Sequence, residues 1–191
     1  FKKLLIIIFS IAIIATASIY AIWHNEIATV ASIKTIINQD LSHDDGYTYE
    51  MYVSGDYYFE DFLKQGGATN DAELIQFVTD HITKGLIPMT IKSKEIACSS
   101  FTAWTEDKKF VFGRNYDFDQ TNTAIVHTSP KGRHASISTI DLQFLGIKEE
   151  SGISSIKEKA LLLAAPYIPL DGINDAGVAC GIYMTYQGEP T

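Results

Sequence analysis

The sequence predicts an α+β protein set behind a long apolar helix, and three observations carry that expectation. Residues 4–23, "LLIIIFSIAIIATASIYAIW", hold no charge. The stretch from residue 25 to about 85 is dominated by helical spacing of apolar residues. From residue 96 onward the chain turns to short alternating runs separated by turns, the pattern of strands. A hydrophobic content of 46% in 191 residues supports a sizeable core.

The elements follow in order. At ~1.5 Å per residue, residues 4–23 cover about the 30 Å of a bilayer core. Lys2 and Lys3 precede the run, and His24, Asn25 and Glu26 follow it. That asymmetry puts the N-terminus in the cytoplasm and the rest outside. A cleaved signal peptide is the rival reading, with "ATA" at 15–17 as its cleavage site. The rest of the chain is exported on either reading, membrane-anchored or secreted. Residues 25–39 place apolar groups at 27, 30, 33, 36 and 37, a helical period. "YTYEMYVSG" at 47–55 alternates as a strand, with Tyr47, Tyr49, Met51 and Val53 on one face. A short helix over 56–67 stops at Gly66 and Gly67. Asn70 and Glu73 form a capping-box pattern that opens a helix through Leu74, Phe77, Val78 and Ile82, with Gly85 closing it. Strands are then expected at 97–105, 109–117, 124–128, 134–145 and 177–186, with a helical stretch near 155–165 and a plain turn at "SPKGRH", 129–134.

Charge excludes one class of function. The net charge is -8, and no basic stripe follows residue 3, so a nucleic-acid surface is not expected. The Cys and His residues lack metal-ligand spacing, and no metal or other cofactor is expected. His81, His127 and His134 read as surface or structural residues. There are two cysteines, Cys98 and Cys180. In an exported chain they invite a disulfide, which on the chain-entropy argument would add roughly 4–5 kcal/mol. Cys180 also reads as a buried strand thiol in "GVACGI".

Cys98 stands at the start of "CSSFTAWTEDKKFVFGRNYDFD". A hairpin centred near 107–108 returns residues 114–117 to the neighbourhood of the thiol. It delivers Arg114 and Asp117, although spacing alone leaves the register open. A cation beside a thiol favours the thiolate, the nucleophilic form. Gly113 suggests close backbone approach or a bulge. No histidine follows closely, so the base must come from elsewhere. An α-amino group freed at Cys98 would serve, and that requires cutting the Ala97–Cys98 bond.

Together with "PLDGINDAGVACGI" at 169–182, this hairpin resembles the choloylglycine hydrolase family of N-terminal-nucleophile amidases. That family includes bile salt hydrolases, penicillin V acylases and linear-amide C–N hydrolases, with acid ceramidase-type enzymes as relatives. The resemblance spans roughly residues 96–191. It implies an αββα sandwich, of which these residues hold the front part: family members continue further and carry a later asparagine and arginine. It implies a signal or anchor at 1–23, a pro-region or α-subunit-like segment at 24–97, and the first part of the catalytic domain at 98–191. Cys98 corresponds to the nucleophile, and Arg114 and Asp117 to the pair beside it. Asn174 corresponds to a turn residue, expected in the left-handed region. Where bile salt hydrolases place an oxyanion asparagine, this chain has Gly181-Ile182-Tyr183-Met184, so Tyr183 is the candidate donor. The partner implied is a small-molecule amide, with oligomerisation left open. Two other outcomes stay open: an acyltransferase of the same family, and a non-catalytic exported domain stapled by Cys98–Cys180.

Overall fold

The computed structural model describes residues 1–40, 46–92, 97–117, 121–148 and 152–183. It is a mixed α+β structure in which one long apolar helix runs into a six-stranded sheet. Helix α1 spans Lys2–Ser32 without a break, and residues through Ile22 are exposed. Its last turns belong to the folded domain: Glu26 and Thr29 are buried.

Strand β1 (Lys34–Ile37) follows at once, where the spacing suggested that helix would continue. The run Thr35-Ile36-Ile37 is β-branched, and such residues crowd a helical turn but fit a pleated strand. β1 pairs antiparallel with β2 (Thr48–Tyr52), which in turn pairs parallel with β5 (Thr123–Thr128). Then come β6 (Ser136–Asp141), β7 (Asp171–Asn174) and β8 (Ala179–Gly181), each antiparallel to the last. The strand expected over 134–145 stops at Asp141. That carboxylate accepts the Gln143 N–H and opens a 3₁₀ turn, Leu142–Leu145. The strand expected over 177–186 is β8, with 184–186 outside the described residues. β7 was not anticipated, because its sequence, "DGIN", reads as a turn.

Two short helices, α2 (Phe59–Lys64) and α3 (Asp71–His81), cover one face of the sheet together with α4 (Ile156–Leu161) and the 3₁₀ segment Leu162–Tyr167. The Asn70 side chain accepts from Glu73 N–H, as the capping pattern suggests, while the Glu73 carboxylate reaches back to Thr69 rather than Asn70. The core is shared across the chain. Tyr49, Met51 and Phe77 pack in one cluster with Ala124, Val126, Ile140 and Leu162. The segment 24–97 is therefore not a separate helical pack: it contributes two strands and two helices to one sheet and one core.

The opposite face of the sheet is met by the hairpin of β3 (Ala97–Trp104) and β4 (Phe110–Asp117), a two-stranded sheet of its own. Its turn is set by Lys108 at φ 62° and by the Thr105 side chain, which bonds both Asp107 and the Lys109 N–H. The register shows no bulge at Gly113. Instead the Phe101 ring lies across that glycine, where a Cβ would sit 2.3 Å from ring carbon. Helices, sheet and hairpin thus form three layers.

Candidate functional site

The hairpin register decides which side chains share a face. Cys98 is paired with Tyr116 and Ser100 with Arg114, and directly opposed residues point the same way. Cys98, Arg114 and Tyr116 therefore share the face turned to the large sheet. Ala97 is paired with Asp117 and Ser99 with Asn115, so these lie on the outer face. Arg114 is brought to the thiol: its Nη2 donates to Cys98 Sγ at 3.2 Å. Asp117 is not. It is exposed, accepts from Asn115 Nδ2 at 2.5 Å, and stands opposite Ala97, beside the 97–98 bond rather than beside the sulfur. The physical reason is the two-residue period of a strand, which sends residues 114 and 117 to opposite faces.

Arg114 is held on several sides. Nη1 donates to Leu170 O at 2.7 Å, and Nη2 also donates to Ile182 O. The guanidinium carbon lies 4.7 Å from the ring centres of both Tyr116 and Tyr183, a double cation–π arrangement. Gly181 makes room for it: a Cβ there would fall 2.0 Å from Nη1. The Nε–H is buried without a hydrogen-bond partner among the described residues. Tyr183, the candidate oxyanion donor, thus lies with its ring against the guanidinium face. Met184 lies outside the described residues.

Tyr116 is fixed from the sheet side. Its hydroxyl is 2.7 Å from Thr139 Oγ1, and Thr139 donates to Asp171 Oδ1 at 2.6 Å. Burial, then the Asp171 carboxylate, pushes the phenol far above its usual range, so it stays protonated. Sequence reasoning missed Tyr116, Thr139, Asp171 and Gly181. The "RNYD" run offered Tyr116 as a strand neighbour of Arg114, but nothing marks Thr139, which comes from a different strand.

Asn174 holds a turn, though not in the expected conformation. It is the last residue of β7, outside the left-handed region, and its Oδ1 accepts from Ala176 N–H (3.1 Å) and Val178 N–H (2.9 Å). The positive φ falls to Gly177, at 79°. Both cysteines are free. Cys180 is paired with Gly172 and faces the helical side of the sheet, while its neighbour Gly181 faces the hairpin, so the two thiols are on different sides of the sheet. Cys180 is exposed, not the buried strand thiol its neighbours suggested. His81 stacks on Phe77, His127 on Tyr52, and His134 pairs with Asp175; among the described residues no histidine is hydrogen-bonded to Cys98.

A cleft of about 460 Å³ opens between hairpin and sheet. Arg114, Thr139 and Asp171 form its polar end, and Phe110, Phe112, Ile125, Ile137, Ile173 and Ala179 line the rest. Comparison with protein-family models, curated proteins and solved structures finds no match to this chain.

Proposed function

We propose that this chain carries the nucleophile of a cysteine amidase acting on a non-peptide C–N bond in a linear amide. The observation that carries the reading is the 3.2 Å contact from Arg114 Nη2 to Cys98 Sγ, in a site whose arginine is held on several sides. A cation so placed stabilises the thiolate that attacks a carbonyl. The layering of helices, sheet and hairpin accords with the front of the αββα sandwich that the family resemblance implies. The cleft suits the apolar part of an acyl group, with its polar end at Arg114.

In this mechanism the Ala97–Cys98 bond is first hydrolysed, freeing the Cys98 amine. Asp117, across from Ala97, receives the new ammonium. Cys98 Sγ then attacks the amide carbonyl, and the amine group of Cys98 passes a proton to the departing nitrogen. The thioester is cleaved by water, which the same amine deprotonates, releasing the acid and restoring the thiol. Helix α1 anchors the domain in a membrane, with the domain outside the cytoplasm. The uncharged run within α1 is long and apolar enough to cross a membrane, which supports the anchor.

Intact-mass analysis of the purified protein tests maturation, with a fragment beginning at Cys98 expected. Cys98→Ala should abolish both that fragment and turnover of acyl-amino-acid and penicillin V substrates. Wild-type turnover by Cys98→Ala would overturn the proposal.

A further inference from the structure

The junction between α1 and the domain is a rigid polar clamp. Glu26 is buried and accepts from Tyr58 OH at 2.7 Å and from Lys84 Nζ at 3.2 Å. The Lys84 ammonium also donates to Tyr58 OH (2.5 Å) and to His81 O (3.1 Å), which satisfies its three hydrogens. The same ammonium lies 4.5 Å from the ring centre of Trp23. Asn25 Oδ1 accepts from Ser54 Oγ, and Thr29 Oγ1 from the Ser54 N–H. Thus α1 does not end in a flexible linker. Its orientation is imposed on the domain.

That orientation places a particular loop at the lipid boundary. If residues 4–23 fill the ~30 Å apolar slab, Trp23 stands at its edge, the preferred level for tryptophan. Glu26 is ~4.5 Å further along the axis, and helical side chains lean back toward the N-terminus, so Lys84 is drawn down to the level of Trp23. Lys84 takes φ 49°, a conformation disfavoured for a long side chain, and Gly85 follows at 75°. The loop is locked from within. The buried Thr83 hydroxyl lies between the carbonyls of Thr79 (2.9 Å) and Ile87 (2.7 Å), and Leu86 N–H donates to Thr83 O. A loop held this way nonetheless leaves Leu86 74% exposed, two residues from a lysine that touches the anchor helix.

We propose that the domain is seated on the bilayer that holds α1, with the Lys84–Ile87 loop resting on the headgroup region and Leu86 inserted among the lipids. The partner surface is lipid because Leu86 is exposed on a loop whose Lys84 is tied to the membrane end of α1, at Trp23 and Glu26. This rests on the membrane-anchor reading above. An exposed leucine two residues from a Trp23–Lys84 pair at headgroup level suits an interfacial segment.

The test uses the full chain in phosphatidylcholine vesicles, in a Cys98→Ser, Cys180→Ser background. Leu86→Cys and, as control, Ile156→Cys carry a bimane label. Ile156 is 86% exposed, and its segment is tied by the Ile153 N–H to Tyr49 OH. Tyr49, on β2, is five residues before Ser54, roughly 17 Å from the clamp if the chain stays extended. Shallow brominated lipid should quench the label at 86 and not at 156, and iodide should reach position 86 several-fold less than position 156. Equal behaviour at the two positions in vesicles that retain the protein through carbonate extraction overturns the seated loop alone. Release of the protein by carbonate overturns the anchor reading, and the seating with it.

Discussion

Gly181→Ala separates the site from the fold. The added Cβ would fall 2.0 Å from Arg114 Nη1 and 3.1 Å from Cζ, where ordinary contact begins at 3.4 Å. The guanidinium must therefore retreat by more than an ångström. The displaced atoms are the end of a flexible side chain, so the fold should lose only about 1 kcal/mol, a typical single-substitution cost. The site loses more. A hydrogen bond to a charged group contributes about 1.5–3 kcal/mol, and losing it from the attacking sulfur corresponds, at about 1.36 kcal/mol per decade, to about ten- to a hundredfold in alkylation rate. The assay is the rate of iodoacetamide alkylation of Cys98 at neutral pH in a Cys180→Ser background, alongside amide turnover. Gly181→Ala and Arg114→Ala should each slow both, and the double variant should be little worse than Arg114→Ala, because the two act through one contact. A Gly181→Ala protein that alkylates at the wild-type rate while Arg114→Ala does not would show that the guanidinium keeps its place without the glycine, and would refute the reasoning.

Three further outcomes follow from the same geometry. Lys84→Ala strips Glu26 of its cation and should lower stability in detergent-solubilised urea unfolding by about 2–3 kcal/mol, less than the ~3–5 kcal/mol for breaking a fully buried pair because Lys84 is partly exposed; a Glu26→Met, Lys84→Met pair should recover much of it, and additive losses would refute the clamp. Asn174→Ala removes the acceptor of two turn N–H groups and should cost about 1 kcal/mol in thermal melts while leaving turnover within a few-fold; complete loss of turnover at unchanged melting temperature would contradict a purely structural role. The Glu50 carboxyl is held below its usual range by hydrogen bonds from Lys34 first, then Tyr52, with His127 adding to them. Its contribution is whole above about pH 4.3 and is lost as pH falls through the lower folded value. Glu50→Gln should therefore flatten the acid limb of a melting profile, and an unchanged limb would refute the assignment.

The sequence by itself determined what depends on local pattern. The apolar run of α1 is legible because twenty uncharged residues need no tertiary partner to be recognised. The same holds for the Asn70 cap and for the β3–β4 hairpin, whose turn and alternation lie within one short stretch. Proximity of Arg114 to Cys98 follows from that hairpin. Tertiary structure decided everything that depends on which face a residue takes and on what comes from a distant strand. The register turned Arg114 toward the thiol and Asp117 away, a choice that one residue of slip would reverse. The parallel pairing of β2 with β5 drew residues 24–97 into the same sheet as the site. Thr139, Asp171 and Gly181 lie on β6, β7 and β8, and they meet the hairpin only after non-local strands have paired. β1 took a strand where apolar spacing suggested helix, because β-branched side chains beside an open sheet edge gain more from pairing with β2 than from another helical turn. Such contacts join residues far apart in sequence, and no period along the chain encodes them.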